Sequence, residues 1–449
     1  MAITIAGDVA IPRQLLTEEQ IAAISDRFVV IEQTRQRDWR TGSLRDTART
    51  IELVRPRGQL LTLPRGCASL LASMLPGAVI EDATTTHAET FTPCVAFRPH
   101  QLALADALRK RGTMLATAAT GSGKTGAACA AMASLGQRTL VLVPTVELAR
   151  QWARETERFL GVAATICTGG EWSSGAIVVA TPETAMRFTG QLADFGLCVV
   201  DEVHGFATER RVFDLLAHIP ARYRLGMTAT LPTDHRARML AAAFGVVGFR
   251  FSVADSLDSG VIVAPVLRQV RSPFTFDYGS ADDWQDLLDA IAVHAARNAM
   301  IADLVAKECR GLCTLVLSAR LAHLEALRVE LEARGLRVAV VSGAVPSRER
   351  KAALEAAKAG QLHALLGSTV ADEGIDAPAL GSVVLAWPSR SESRLLQRIG
   401  RVLRPSPGKA SVPPVVFDVI DDVGPLRSQA RHRAEVFART FGASTRRAA

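Results

Sequence analysis

Residues 118–125 read Ala-Ala-Thr-Gly-Ser-Gly-Lys-Thr, preceded by the apolar run Met114-Leu115-Ala116 and followed by an alanine-rich stretch, 126–135. A strand, a glycine turn and a helix in that order form a phosphate cradle, because the backbone N–H groups of the turn and the helix start converge on an anion. Thr120, Gly121, Ser122 and Gly123 supply the turn. Lys124 is placed to reach β- and γ-phosphates, and the Thr125 hydroxyl to ligate magnesium. The stretch therefore predicts a nucleoside triphosphate site.

Working outward, the chain of 449 residues, 48% of them apolar, exceeds one ordinary core, and its length predicts two or three domains. No apolar run is long enough to span a bilayer, and residues 1–12 lack a charged start and cleavage pattern, so a cytoplasmic protein without a membrane is expected. The seven cysteines show no paired zinc-ligand spacing. A net charge of +7, carried mostly by arginine, suits a nucleic-acid partner and equally an arginine-favouring genome.

Residues 1–90 read as a small α+β module, with a capped helix near 17–28, strands near 28–32 and 50–54, and an apolar helix at 67–74. Over 91–255, strands are expected at 114–116, 139–143, 177–180, 197–200 and 223–227, with helices between them. A break rich in Pro, Asp, Ser and Gly spans 252–283. Within 256–449 a helix over 284–309 precedes strands at 314–317, 337–341, 364–367, 382–386 and 415–419. This alternation predicts two doubly wound parallel sheets in tandem. Only the first carries a phosphate loop, so the second is expected to complete that site.

Val199-Val200-Asp201-Glu202-Val203-His204 places two carboxylates at the end of an apolar strand. In a phosphate-loop fold a magnesium-coordinating Asp and a water-activating Glu belong there. The same pair is also a common helix cap. Asp-Glu-Val-His together with the phosphate loop resembles the DExH branch of superfamily 2 helicases and translocases, whose fold is two RecA-like sheets.

Further segments resemble that family in its order. Phe97-Arg98-Pro99-His100-Gln101 resembles the adenine-recognition segment, which implies nucleotide contacts for Arg98 and Gln101. Pro144-Thr145 and Thr181-Pro182 resemble motifs Ia and Ib, implying contacts to a nucleic-acid backbone. Thr228-Ala229-Thr230 resembles motif III, implying that Thr228 and Thr230 couple hydrolysis to movement.

Residues 367–376 resemble motif V, which implies nucleic-acid contact at Thr369 and nucleotide contact at Gly374 and Asp376. Gln397-Arg398-Ile399-Gly400-Arg401-Val402-Leu403-Arg404 resembles motif VI. In the family the arginines matching Arg401 and Arg404 reach the γ-phosphate, and the glutamine matching Gln397 helps place the water. The implied catalytic set is Lys124, Asp201, Glu202, His204, Gln397, Arg401 and Arg404, with magnesium on Thr125 and Asp201.

Within the superfamily the chain is most similar to the XPB and UvsW-like group, related to type III restriction helicase subunits. It departs from XPB in lacking an Arg-Glu-Asp tripeptide after motif III. The resemblance implies a monomeric, ATP- and magnesium-dependent helicase or translocase acting on DNA, with the 1–90 module engaging DNA. An RNA helicase and an ATP-gated clamp that does not travel are the alternatives. Trp152 is expected in the core rather than stacked on a base. The arginine-rich tail, 427–447, reads as a phosphate-tracking segment or a solvated helix.

Overall fold

The computed structural model describes residues 2–37, 44–208, 210–308, 313–368, 380–389, 391–400, 403, 413–442 and 445–447. Two compact units divide the chain, the first built from Met1–Ala118 and Gly123–Phe251, the second from Ser252–Ala449 together with the four loop residues Ala119–Ser122. The division falls at 251/252 instead of 255/256, and residues 1–90 belong to the first unit.

At the centre of the first unit lies a seven-stranded sheet, parallel throughout. Its spatial order is Thr165–Cys167, Ile177–Ala180, Thr139–Leu142, Leu197–Val200, Tyr223–Thr228, Thr113–Ala118 and Val247–Phe251. Ile177–Ala180, Thr139–Leu142 and Leu197–Val200 are buried along their whole length. This is why they read in the sequence as unbroken apolar runs, since helices cover both faces of a parallel sheet. The short outer strands Thr165–Cys167 and Val247–Phe251 are too brief or too mixed to register as such runs.

The N-terminal module is a five-stranded sheet in the order Arg55–Arg57, Leu60–Pro64, Asp8–Pro12, Ala2–Ile5 and Val79–Asp82, with a separate ribbon of Val29–Arg37 paired to Leu44–Glu52. Its first helix, Glu18–Arg27, begins with a capping box: the Thr17 hydroxyl accepts from Gln20 N, and Thr17 N donates to Gln20 Oε1. Two buried arginines join the module to the sheet. Arg65 donates to the carbonyls of Ala221 and Arg222, and Arg224 donates to those of Gly7, Leu216 and Ile219. Carbonyl oxygens left over at turns and a helix end thus receive the donors they need.

The second unit repeats the plan with seven parallel strands in the order Val338–Val341, Ala364–Gly367, Cys313–Leu317, Leu380–Leu385, Val415–Ile420, Val266–Arg271 and Thr445–Arg447. Three sequence expectations change here. The 252–283 break contains the strand Val266–Arg271. The single helix over 284–309 is two helices, Trp284–Val293 and Ala295–Glu308, because His294 is extended and its Nδ1 accepts from Arg297 N, starting a new helix. The basic tail is no solvated helix: Gly424–Phe441 packs into the core, and its Arg433 is buried against Asp418 at 2.8 Å. Among the described residues no helix is long and apolar enough to cross a membrane.

Candidate active site

Every described candidate residue between 91 and 251 except Arg98 and Gln101 sits at or just beyond the C-terminal end of a central strand, where open α/β sheets place their ligands. Thr113–Ala118 leads into the phosphate loop, Leu197–Val200 into Asp201 and Glu202, and Tyr223–Thr228 into Thr230. Thr139–Leu142 leads to Pro144 and Thr145, and Ile177–Ala180 to Thr181 and Pro182.

In the loop, Gly121 and Gly123 adopt φ of +87° and +89°. A side chain rarely tolerates that conformation, so these positions need glycine. The helix Lys124–Leu135 starts directly after Gly123. Gln101, buried on the helix Pro99–Arg111, accepts from Arg98 N through Oε1 at 2.9 Å and donates through Nε2 to Gly123 O at 3.2 Å. Its amide therefore holds the loop backbone. Gly126 lets the loop helix approach: a Cβ there would lie 2.6 Å from Gln101 Nε2 and 2.9 Å from Phe159 Cζ.

Lys124 Nζ lies 3.0 Å from Glu202 Oε1. Burial opposes the ammonium charge, but Glu202 and Asp201 outweigh it and the Lys124 pKa is raised. Asp201 is buried, its Oδ2 accepting from Trp152 Nε1 and its Oδ1 from Glu202 N, each at 2.9 Å. Burial, reinforced by the neighbouring Glu202, pushes the Asp201 carboxyl up to about 6 against the pull of Lys124 and the indole. Glu202 has φ of +47°, the one left-handed non-glycine among the described residues. Backbone held in this way costs on the order of 1–3 kcal/mol and persists where its surroundings enforce it.

His204 Nδ1 is 3.1 Å from Thr228 Oγ1 and 3.5 Å from Glu202 Oε2. The Thr228 hydroxyl donates to Thr230 O at 2.8 Å, so His204 Nδ1 is the donor toward Thr228. Burial lowers the His204 pKa, Lys124 and Arg236 adding to it and Glu202 opposing. The imidazole is thus neutral near pH 7 and lies between Glu202 and the 228–230 segment, hydrogen-bonded to Thr228.

The candidate nucleic-acid residues differ in access. Pro144 is exposed, and Thr145 caps the helix Val146–Leu160 by accepting from Leu148 N at 3.3 Å. Thr181 is buried and its hydroxyl donates to Thr184 Oγ1 at 3.1 Å, so its side chain is committed to the fold; Pro182 is half-buried. Thr369, Gly374, Asp376, Arg401 and Arg404 lie outside the described residues, as does the Gln397 side chain on the helix Glu392–Gly400. Sequence reasoning placed Trp152 in the core and missed its bond to Asp201, for which the only signal is a tryptophan on the helix after Thr139–Leu142.

A phosphate loop and an acidic pair on one RecA-like sheet, followed by a second such sheet, define the two-domain RecA-like class. Residues 98–238 match the DEAD/DEAH box helicase model and residues 296–406 the Helicase conserved C-terminal domain. The chain is 31% identical over 331 residues to the DNA 3'-5' helicase XPB of Mycobacterium tuberculosis, covering 69% of this chain and 58% of that protein. It is 25% identical over 340 residues to the DNA 3'-5' translocase XPB2 of Sulfurisphaera tokodaii, covering 66% and 75%. Among solved structures, S. cerevisiae Dbp5 bound to RNA and ADP BeF3 superposes with a TM-score of 0.55 at 15% identity, covering 79% of this chain and 94% of that one. The chain spans little more than half the length of the Mycobacterium tuberculosis relative. It belongs to the superfamily 2 helicases, close to XPB.

Proposed function

We propose that this chain is a DNA-stimulated ATPase that translocates on or remodels DNA, with residues 91–251 gripping the nucleotide, 252–449 supplying the second motor domain and 1–90 engaging DNA. The Lys124, Glu202 and Asp201 constellation beside the glycine loop carries the reading. These residues fit magnesium ATP: two left-handed glycines open a backbone cradle, a lysine only 13% exposed begins the helix, and a buried carboxylate directly follows the neighbouring apolar strand Leu197–Val200. Thr125 and Asp201 would hold the magnesium ion, which when bound neutralises charge on the transferring phosphoryl group.

The chain's own residues do the rest. Phosphate oxygens in the cradle draw Lys124 away from Glu202, and the released carboxylate accepts the proton of the attacking water. His204 keeps its Nδ1 proton on Thr228 Oγ1 with Glu202 Oε2 3.5 Å away, so a shift of the acid is felt through the ring at 228–230. Pro144 and Thr145 offer an exposed loop and a helix start to a DNA phosphate, a contact without sequence preference. From motif VI, Arg401 and Arg404 are proposed to stabilise the transition-state charge, and Gln397 to place the water. By the same resemblance Thr369 touches DNA, and Gly374 and Asp376 the nucleotide. The similar proteins named as a DNA 3'-5' helicase and a DNA 3'-5' translocase favour DNA over RNA. A cytoplasmic monomer is the proposed working form.

The test is ATP hydrolysis by the full chain, titrated with single-stranded, duplex and branched DNA and with RNA at fixed salt. DNA stimulation that disappears in Lys124→Ala is expected. Hydrolysis indifferent to Lys124→Ala refutes the site, and stimulation by RNA alone refutes the substrate.

A further inference from the structure

We propose that Trp152 is a positioning residue of the hydrolytic site, its indole N–H fixing the Asp201 carboxylate in the orientation that receives the nucleotide's magnesium ion. The inference rests on the nucleotide reading above.

Trp152 lies on the helix Val146–Leu160 and is fully buried among apolar neighbours, a place where phenylalanine would serve packing as well. A buried indole N–H needs an acceptor, and here the acceptor is Asp201 Oδ2, 2.9 Å away. The other oxygen, Oδ1, takes the Glu202 N–H at 2.9 Å. One donor leaves a carboxylate free to swing about its bond to Cβ. Two donors, one on each oxygen and from separate elements, fix its plane while lone pairs on both oxygens remain open.

Lys124 cannot do this work, because it is engaged by Glu202 in the free chain and by phosphate once nucleotide binds. The indole and the Glu202 N–H are the contacts that hold Asp201 in either state. Groups that orient a metal-binding side chain in this way typically govern metal affinity by about 10- to 100-fold.

The experiment uses the full chain with Trp152→Phe and measures binding of a fluorescent non-hydrolysable ATP analogue, with EDTA and across a magnesium titration. Expected is unchanged affinity in EDTA, with about 10- to 100-fold more magnesium needed to reach tight binding. In an Asp201→Asn background, Trp152→Phe should add little further loss, because the two residues act through one group. Wild-type magnesium dependence in Trp152→Phe overturns the proposal. So does an equal loss of affinity with and without magnesium, which marks a packing role. Should Trp152→Phe fail to fold, benzothienylalanine incorporated at Trp152 exchanges the N–H for sulfur at nearly constant shape and reads the same shift. Failure of the nucleotide reading is distinct: the unsubstituted chain would then bind no analogue at any magnesium concentration.

Discussion

Replacing Glu202 by glutamine should make the protein bind ATP more tightly while nearly abolishing its hydrolysis. In the free chain Lys124 Nζ and Glu202 Oε1 are 3.0 Å apart, with side chains 13% and 28% exposed. Two unit charges at that distance attract by roughly 5 kcal/mol at an effective dielectric of about 20. Partial solvation and the desolvation of both ions reduce the net value to that of a charge-assisted hydrogen bond, about 1.5–2 kcal/mol. Phosphate must break this pair to reach Lys124, so its loss in Glu202→Gln returns that energy to binding. At about 1.4 kcal/mol per tenfold, Kd for ATP should fall roughly 10- to 30-fold. The same loss lowers the melting midpoint of the free variant by about 3–8 °C. Saturating ATP should erase that deficit. Loss of the general base should lower single-turnover hydrolysis about 10²- to 10⁴-fold. Calorimetric titration with a non-hydrolysable analogue and quenched-flow hydrolysis measure the two effects. An unchanged or weaker ATP affinity would refute the claim that Glu202 holds Lys124 in the resting protein.

Gly123→Ala forces a Cβ into φ +89° and to 3.0 Å from Gln101 Nε2, which itself donates to Gly123 O. Strain of about 1–2 kcal/mol and a weakened hydrogen bond of about 1 kcal/mol should lower the first unit's thermal midpoint and ATP affinity together, checked by melting with and without nucleotide. Arg401→Ala or Arg404→Ala should reduce kcat by several orders of magnitude with little change in ATP binding, and parallel loss of both would argue against a transition-state role. In the second unit, burial and the adjacent Arg297 hold His323 down to about 3; the other groups facing it are Asn298 and Ser318, with Asp421 paired to Arg297. The unfolded chain binds this proton near pH 6.5 and the folded chain does not, so stability present above 6.5 is lost as pH falls toward 3. Melting curves of the second unit should steepen their decline over that window, and His323→Gln should flatten it.

The phosphate loop and the acidic pair were legible because their chemistry requires particular residues at consecutive positions. The central strands were legible because burial on both faces leaves continuous apolar runs such as Leu197-Cys198-Val199-Val200. Edge strands such as Thr165–Cys167 and most of the N-terminal sheet were not, since a strand of this length is specified by its neighbours rather than by its own pattern. His294 could not be recognised as a helix start, because its role depends on a ring nitrogen meeting Arg297 N.

By itself, then, the order of residues determined the ordered series of family motifs, the tandem parallel sheets and the identity of Lys124, Asp201 and Glu202, all properties of consecutive positions. The tertiary structure alone decided that Gln101 braces Gly123, that Thr181 spends its hydroxyl internally and that Trp152 holds Asp201. The first and last of these contacts join residues that lie far apart along the chain, and the second turns on which way a hydroxyl points. Hydrogen bonds reach only about 3 Å, so each depends on how the folded backbone sets its donors and acceptors.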